Sequence, residues 1–494
     1  MLLLALDQHS RVPAYRQICD RIVRLVDDGT LGLGERLPPT RRMASTLGVT
    51  RSTVVRAYQE LWALGYLESR PGSYSTVRGR GRAIAGRQGE RPCLIDWDAA
   101  TPEANRFLVG EFRRHTASRV DGERGGAINF GSLAADRGLA PVDDFRRSVG
   151  HVLATEGARV LDYGDPAGYR PLREAIAQRL RVHGVTVTAD EVLITNGSQH
   201  AIDLVLRLLT RPGAAIVSEA PTYSMAIPLF RMHQLDVREV AMRADGMDLD
   251  LLERGLPRWR PALVYTMPNF HNPTGITTSQ AHRERLLALC ERHRIPLLED
   301  GFEEEMKYFG KCALPVKSMD TGGVVIYLGT FSKVVFPGLR VGWVAADRGC
   351  IERLLAISRF SALSANVVAQ AALHGFCANG SYERLLRRVH RAYRKRMLTL
   401  LAALKRHMPE RGVSWTLPTG GYTVWLTIDT TSWTEDGVDA QLREHGVLAS
   451  RGSPFHASPH PGIHFRISIA NLDEAQIEEG CRRLGAALAS VAEG

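Results

Sequence analysis

From about Ala127 onward, short apolar runs rich in β-branched residues alternate with segments of helical apolar spacing. The predicted strands are EVLIT, AAIVSE, ALVYTM, PLLED, VVIYL and RVGWVAA, and predicted helices such as QHAIDLVLRLL and RERLLALCERH lie between them. This alternation is typical of a mostly parallel sheet covered by helices. It predicts an α/β domain, and ligands of such open sheets bind at the carboxyl ends of the strands.

Composition supports a soluble globular chain of two or three domains. Of 494 residues, 44% are hydrophobic and 23% are charged. No apolar run approaches the length of a membrane-spanning helix, and the opening MLLLAL lacks a basic flank, so we expect a cytoplasmic protein with no membrane partner. The seven cysteines are scattered without a CxxC pair, which predicts reduced thiols and no metal site.

Charge is unevenly distributed along the chain. The first 92 residues contain 15 arginines, no lysine and 8 acidic residues, a net charge of +7, whereas the remaining 402 residues carry only +3. A basic N-terminal module on a nearly neutral body indicates a polyanionic partner for the first part. On charge alone, a solvated basic surface remains the alternative.

The local pattern in this basic region predicts a helix-turn-helix. Thr40 is the expected N-cap of a first helix, Gly48 permits a turn, and Thr50 caps a second helix, RSTVVRAYQELWALG. The apolar positions expected to face the core are Met43, Ala44, Leu47, Val54, Tyr58, Leu61 and Leu64. Those left on the outer face near the start of the second helix, where a recognition helix contacts DNA, are Arg51, Ser52, Thr53 and Arg56.

Residues 10 to 78 resemble the winged helix-turn-helix of the GntR family of bacterial regulators. The likeness rests on PAYRQICDRIVRLVDDGTL and GERLPPTRRMASTLGVTRSTVVRAYQELWALGYLESRPG, of which YLESRPGSYSTV predicts a hairpin wing. It implies contacts with double-stranded operator DNA from Arg41, Arg51, Thr53, Arg56, Arg70 and Gly72. The wing departs from the usual Gly-Ser-Gly-Thr-Phe because Tyr74 replaces the second glycine, and this puts its minor-groove contact in question.

A basic linker follows the predicted wing. RGRGRAIAGRQG is rich in Arg and Gly and lacks apolar periodicity, so it predicts a flexible connection, and residues 90 to 125 are interpreted as linker plus an arm that docks on the body. The predicted domains are residues 1–79 for DNA binding, 80–125 for linker and arm, and 126–494 for the α/β body.

The segment GTFSKVVFPGLRVGW follows a predicted strand and carries Thr330, Lys333 and Arg340. An amine for a Schiff base, with hydroxyls and a guanidinium for a phosphate, is the arrangement that holds pyridoxal 5'-phosphate. Taken alone, Lys333 is more often a surface or ion-paired lysine. The cofactor hypothesis therefore depends on the polar motifs at the other strand ends.

Four such motifs accompany Lys333. Ser198 and Gln199 open a helix, where backbone N–H groups favour a phosphate. Tyr223 is an aromatic side chain that can lie on a flat ring, and Asn272 can donate to a phenolate oxygen. Asp300 ends PLLED, where a carboxylate can pair with a pyridinium nitrogen. Each motif alone could be a turn, a cap or core packing.

Residues 127 to 490 resemble the fold type I aminotransferases of class I and II, a likeness that implies a smaller C-terminal α/β subdomain. It implies that Lys333 forms the internal aldimine, that Tyr223 stacks, and that Asn272 and Asp300 tune the ring. The residues implied to hold the phosphate are Ser198, Gln199, Thr330 and Arg340, with Tyr163 of a neighbouring subunit in a homodimer. Arg466 resembles the arginine that grips the α-carboxylate of an amino acid.

Phe302 stands where related sequences usually carry a tyrosine that bonds the cofactor oxygen, which weakens the expectation of efficient transamination. The two halves together resemble the MocR type of GntR regulators. We therefore expect a pyridoxal-phosphate-dependent transcriptional regulator that senses a small amino compound or the cofactor itself. The alternatives are an active aminotransferase with an accessory DNA-binding module, and a DNA-binding protein whose body merely dimerises.

Overall fold

The computed structural model describes residues 6–7, 10, 12–68, 74–78, 94–123, 126–302, 304–310 and 313–492. The chain divides into two compact units, Met1–Ala100 and Thr101–Gly494. None of the helices in these described ranges is long and apolar enough to cross a membrane.

The N-terminal unit is a small helical bundle with a two-stranded wing. Its elements are α1 (Ala14–Asp27), α2 (Thr40–Leu47), α3 (Arg51–Ala63), β1 (Leu67–Glu68), β2 (Thr76–Val77) and α4 (Trp97–Ala100). Helices α1 and α2 both pack on α3, and β1 pairs antiparallel with β2. Thr50 caps α3 as expected, because its hydroxyl accepts a hydrogen bond from Thr53 N at 3.3 Å.

Two details of this unit differ from the sequence prediction. Helix α2 begins at Thr40 itself, and Pro39 occupies the cap position with no side-chain hydrogen bond. Pro39 keeps an extended ψ of 146° and takes the cap position itself, which leaves Thr40 as the first helical residue. Leu64 is 39% exposed because α3 ends at Ala63, so the side chain lies beyond the face that Leu61 buries.

The larger unit is built on an eight-stranded, mostly parallel sheet. Its strands, in chain order, are β4 (Val192–Thr195), β5 (Ala215–Ala220), β6 (Asp236–Arg243), β7 (Gly246–Met247), β8 (Val264–Thr266), β9 (Leu297–Asp300), β10 (Val325–Thr330) and β11 (Gly342–Ala345), preceded by the separate β3 (Ile128–Asn129). The spatial order is β4-β11-β10-β9-β8-β5-β6-β7. Strand β11 runs antiparallel to both its neighbours and β7 antiparallel to β6, while β6, β5, β8, β9 and β10 are mutually parallel.

Helices cover both faces of this sheet, as crossover connections require. Those preceding the C-terminal subdomain are α5 (Glu103–Glu123), α6 (Val142–Glu156), α7 (Arg170–Val182), α8 (Ser198–Leu209), α9 (Ala226–Met232), α10 (Leu249–Trp259), α11 (Gln280–His293), α12 (Arg348–Ala362) and α13 (Val367–Ala378). Helices α8, α9 and α12 pack on one face, and α7, α10 and α11 on the other. Strands such as β9 are therefore buried along their whole length.

A smaller subdomain completes the chain. Its elements are α14 (Ser381–His407), β12 (Val413–Trp415), β13 (Thr423–Ile428), α15 (Glu435–Glu444), β14 (Val447–Leu448), β15 (Ser450–Arg451), β16 (Ile463–Ser468) and α16 (Glu474–Ala492). Four strands form an antiparallel sheet in the order β12-β13-β16-β15, and β14 pairs in parallel with β3. This last pairing joins the start of the α/β body to its C-terminal subdomain.

Helix α5 was not predicted from the sequence. It lies within the C-terminal part of the region interpreted as linker and arm, and it contacts α9 through Arg231, whose guanidinium lies 3.8 Å from Glu111 and 5.9 Å from the ring centroid of Phe107. Arg231 also donates to the carbonyl of Ala457 at 3.1 Å. A single side chain of α9 thus holds both α5 and the loop that precedes β16.

Candidate cofactor site and DNA-binding surface

Three neighbouring strands end together at the edge of the sheet where the predicted polar residues lie. Strand β9 ends at Asp300 and β10 ends at Thr330, and Asn272 follows the neighbouring β8. Parallel strands of similar register bring their carboxyl ends to one edge, so these positions converge although they are far apart in sequence.

Asp300 is a buried carboxylate with one oxygen bonded and one available. Tyr265 donates its hydroxyl to Oδ2 at 3.0 Å, and Oδ1 has no hydrogen-bond partner among the described residues. Burial raises the pKa of Asp300 to about 6, against the lowering effects of hydrogen bonding from Tyr265 and from the backbone of Phe302 and of the nearby charge of Lys333. A buried acceptor left open in this way suits a cationic N–H donor.

Lys333 lies half-buried beyond the end of β10. Its Nζ donates to the carbonyl of Leu133 at 3.1 Å, and Tyr422 donates its hydroxyl to the Lys333 carbonyl at 3.1 Å, which fixes the backbone. Phe302 and Lys333 both line one pocket. Phe302 has no side-chain hydroxyl, so position 302 supplies no hydrogen-bond donor to this pocket.

A helix start, two hydroxyls and a guanidinium gather at the predicted phosphate end. Ser198 is the first residue of α8, and Arg340 donates to the carbonyl of Asn196 at 2.9 Å. Gly197 has φ +89°, and a Cβ there would meet Arg340 Nη2 at 2.6 Å, so only glycine lets the guanidinium approach. Thr330 Oγ1 lies 3.0 Å from Ser332 Oγ, to which it donates.

Gln199 and Tyr163 occupy different surroundings from these residues. Gln199 donates its amide to the Met225 carbonyl at 2.7 Å, which links the start of α8 to the start of α9. Tyr163 is 76% exposed. Within one chain, the structure does not bring Tyr163 into the polar cluster.

Tyr223 precedes α9 and lies close enough to Asp300 to be affected by its charge. Burial, with the carboxylate of Asp300 as a second cause, raises the pKa of Tyr223 to about 12. The phenol therefore stays neutral, as an aromatic side chain that stacks on a ring should be.

Arg466 is buried on β16 and bonded directly to another predicted site residue. Its Nη1 donates to Asn272 Oδ1 at 3.0 Å, and its Nη2 donates to the carbonyl of Gly131 at 2.8 Å and to Ser450 Oγ at 3.1 Å. The Phe455 ring centroid lies 5.1 Å from the guanidinium carbon. Since the Asn272 oxygen is already bonded, the Nδ2 group of that side chain is the one that can donate to a ligand.

Sequence reasoning missed several residues that support this site. Besides Tyr265, a fully buried pair lies beside the Asn272 turn, with His271 Nε2 3.2 Å from Glu219 Oε2. Glu219 is the last residue of the run AAIVSE, and a carboxylate ending an otherwise apolar strand was the available signal. The contacts of Gly131 with Arg466 carried no such signal, because 335 residues separate the two.

In the N-terminal unit, the predicted DNA-contacting arginines Arg41, Arg51 and Arg56 are exposed on α2 and α3. Arg56 lies over the ring of Tyr15, with its guanidinium carbon 4.0 Å from the ring centroid. The Thr53 hydroxyl shares a 2.8 Å hydrogen bond with Thr50 and is thus tied to the helix cap. The predicted wing contacts Arg70 and Gly72 lie outside the described residues.

Comparison with known proteins defines both units. The family described as "Aminotransferase class I and II" matches residues 129–484, and "Bacterial regulatory proteins, gntR family" matches residues 14–77. The chain is 29% identical over 515 residues to the probable rhizopine catabolism regulatory protein MocR of Rhizobium meliloti, covering 98% of this chain and 96% of that protein. It is 36% identical over 372 residues to the 2-aminoadipate transaminase of Thermus thermophilus, covering 74% and 91% of the two chains.

Solved structures agree with the fold. The multiple substrate aminotransferase of Thermococcus profundus superposes with a TM-score of 0.76 at 31% identity, covering 81% of this chain and all of that one. The α-aminoadipate aminotransferase LysN of Thermus thermophilus, solved with N-(5'-phosphopyridoxyl)-L-leucine, gives 0.73 at 31% identity and covers 80% and 99% of the two chains.

Together these observations define a DNA-binding module fused to an aminotransferase-like domain of fold type I, which binds pyridoxal phosphate. The open Asp300 oxygen, the amine of Lys333 and the close approach of Arg340 to Gly197 fit that cofactor. The chain belongs to the class I and II aminotransferase family and, taken as a whole, to the MocR-type regulators of the GntR family.

Proposed function

We propose that the chain acts in the cytoplasm as a homodimeric transcriptional regulator whose operator binding changes when a small amino compound, or pyridoxal phosphate itself, binds at Lys333. The cofactor supplies an aldehyde that condenses reversibly with primary amines. In this proposal Ser198, Gln199, Thr330 and Arg340 hold the phosphate, Tyr223 stacks on the ring, and Asn272 and Asp300 bond its polar atoms. Tyr163, exposed in its own chain, serves a second copy.

One observation carries the sensing proposal. The short segment from Gly131 to Leu133 accepts hydrogen bonds from Arg466 at one end and from Lys333 at the other. The carboxylate of an amino acid accepts hydrogen bonds from Arg466 and therefore competes with the Gly131 carbonyl, while attachment of Lys333 to the cofactor takes its Nζ away from the Leu133 carbonyl. Binding at both ends favours an arrangement in which the segment has moved.

Arg466 also defines the chemical class of the effector. The guanidinium is buried and held by Asn272, Gly131 and Ser450, so its orientation is set before any ligand arrives. Two parallel N–H groups match a planar carboxylate. We infer an effector with a primary amine and a carboxylate. A shift in DNA binding then requires different effector affinities in the two arrangements.

The competing function is turnover as an aminotransferase, which the complete set of Asp300, Lys333 and Arg466 favours. Phe302 argues against it, because no hydroxyl at this position bonds the phenolate oxygen. Steady-state conversion of an amino acid and a keto acid tests this alternative. Multiple rapid turnovers by the unaltered chain would support an enzyme, and turnover that appears only in Phe302→Tyr would support the sensor.

The experiment that tests the regulator is footprinting of the DNA upstream of the chain's own gene, with and without pyridoxal phosphate and a panel of amino acids. We expect a protected region whose extent or affinity changes with one amino compound. Lys333→Ala should keep protection but lose the response, whereas Lys405→Ala, a change at an exposed lysine of α14, should keep both. Absence of protection under every condition would refute the proposal.

A further inference from the structure

Helix α14 carries an exposed row of cationic side chains. Its 27 residues include nine Lys and Arg residues but a single acidic one, Glu383. The helix alone therefore carries +8, against +3 for all of residues 93–494. Eight of the nine are exposed, and six of these eight lie close together at spacings of three and four. We call these six the α14 basic stripe: Arg384, Arg387, Arg388, Arg391, Arg394 and Lys395.

Residues spaced three and four apart share one helix face, so the stripe is continuous. Its first and last members are eleven residues apart, about 16 Å along the helix axis. That length is about five base-pair steps of duplex DNA, which carries one phosphate per strand every 3.4 Å or so. The stripe is long enough to follow several successive phosphates.

In α6, α7 and α15, an exposed arginine forms an ion pair with a carboxylate one turn away on the same helix, and within the described residues no member of the α14 basic stripe does so. The pairs within α6, α7 and α15 are Arg146 with Asp143, Arg170 with Glu174, and Arg443 with Asp439. Within the described part of the chain, the only ion pair of the α14 basic stripe is Lys395 with Glu474, at 3.5 Å.

The remaining members make contacts that leave their charge uncompensated. Arg384 and Arg388 donate to Ser381 Oγ and to the Leu139 carbonyl, each at 2.7 Å, and Arg394 lies over the ring of Phe309. Arg387 and Arg391 make no hydrogen bond or ion pair with any residue that the structure describes. Like charges at i,i+4 destabilise a helix, and Arg387 and Arg391 form such a pair in the folded protein. A bound polyanion would relieve the repulsion between them.

We propose that the α14 basic stripe binds the phosphate backbone of duplex DNA, as a second contact distinct from that of α2 and α3. The inference rests on the proposed operator binding, which already brings this polyanion to the chain. Arginine suits phosphate through its planar pair of N–H groups, and five of the six stripe residues are arginines. The stripe adds affinity without sequence specificity, because it reads phosphates rather than base edges.

The test compares two duplexes with the full-length protein. The short duplex contains only the footprinted core bound by the winged helix, and the long duplex extends it by about 20 base pairs on each side. Affinity is measured by fluorescence anisotropy over a series of salt concentrations. The variant Arg387→Gln/Arg391→Gln is compared with Arg254→Gln/Arg258→Gln, which removes two exposed arginines with the same i,i+4 spacing from α10.

We expect the α14 variant to bind the long duplex about tenfold more weakly and with a salt slope lower by about 2, since each phosphate contact contributes roughly 0.9. Its affinity for the short duplex should not change, and the α10 variant should match the unaltered protein on both. Equal behaviour of the two variants on the long duplex would overturn the proposal.

Two further outcomes would also overturn it. The α14 variant could lose affinity for both duplexes equally, which would indicate a general effect on the protein. It could instead bind DNA normally and lose binding to single-stranded RNA or to vesicles of anionic lipid, which would assign the stripe to another polyanion. Failure of the unaltered protein to bind the short duplex would refute operator binding itself, a result distinct from a failure of the stripe alone.

Discussion

The arginines of α2 and α3 are exposed around a core in which the described residues include no buried charge, whereas Asp300 and Arg466 are buried with their partners in the cofactor site. The first arrangement suits a large anion, met through charges that solvent screens. The second suits a small ligand, met by groups that are oriented and desolvated in advance. The two units should therefore respond differently to mutation, salt and pH.

Lys333→Ala should produce the largest difference between the two regions. Without the amine, covalent attachment of the cofactor is lost completely, while the N-terminal unit is untouched. After unbound pyridoxal phosphate is removed, we expect the protein to lack the absorbance band of a lysine-attached cofactor and to keep its affinity for operator DNA without effector. Lys333→Arg is the control, because it keeps the positive charge without a comparable nucleophile, and a restored band there would contradict the assignment.

Leu61→Ala should break the N-terminal unit alone. Leu61 is fully buried, and truncating a buried leucine typically costs about 2 to 5 kcal/mol. DNA binding and the thermal unfolding transition of the N-terminal unit should be lost, while the absorbance band of bound pyridoxal phosphate persists. The matching change in the other unit is Leu298→Ala on β9, also fully buried, which should have the reverse effect. Loss of both functions in either variant would show that the units fold as one.

Asp300→Asn tests the cost of burying charge. Burial raises the pKa of Asp300 to about 6, whereas the same group in the unfolded chain has a pKa near 4. Between these pH values the carboxyl group is protonated in the folded state and ionised in the unfolded state. Its contribution to the free energy of unfolding is therefore fully present below pH 4 and is lost as the pH rises through 6.

In cofactor-free protein, Asp300→Asn should gain up to about 3 kcal/mol over the unaltered chain at pH 7, and little at pH 4. Chemical denaturation at the two pH values measures the gain. Cofactor affinity should fall in the same variant. A variant that is less stable at pH 7 than the unaltered chain would contradict this account.

Arg51→Gln should have the smallest effect. An exposed arginine that contacts DNA contributes about 1 to 2 kcal/mol to affinity and about 0.9 to the salt slope, and nothing to the core. We expect DNA affinity to fall about tenfold with an unchanged melting temperature. Arg21→Gln on the exposed face of α1 is the charge-matched control. An equal loss of DNA affinity in both variants would show that Arg51 contributes only nonspecific electrostatic attraction to DNA.

The sequence predicted those parts of the molecule whose signal is local. The strands that carry Asp300 and Thr330 are short apolar runs between helices, and each of these residues is the last of its strand, so their convergence follows from parallel pairing. The cap at Thr50 is equally local. These features need only neighbouring residues to be recognised.

What was missed depends on distant contacts or on weak periodicity. Helix α5 contains Gly110 and mixes polar with apolar residues, so its stability comes from packing on α9 rather than from its own pattern. Strand β6 is only partly buried and lacks a continuous apolar run. The hydrogen bond from Tyr265 to Asp300 requires the register of β8 against β9, which no single segment contains.

Arg231 of α9 joins helix α5 to the loop that precedes β16, although it is not one of the cofactor-site or DNA-binding residues. One guanidinium holds the Ala457 carbonyl, two residues beyond the ring of Phe455 that lies against Arg466, and it also lies beside Glu111 of α5. If the loop that carries Phe455 moves, the hydrogen bond from Arg231 to Ala457 has to change with it. Because the same guanidinium lies beside Glu111, such a movement would also alter the contact between α9 and α5.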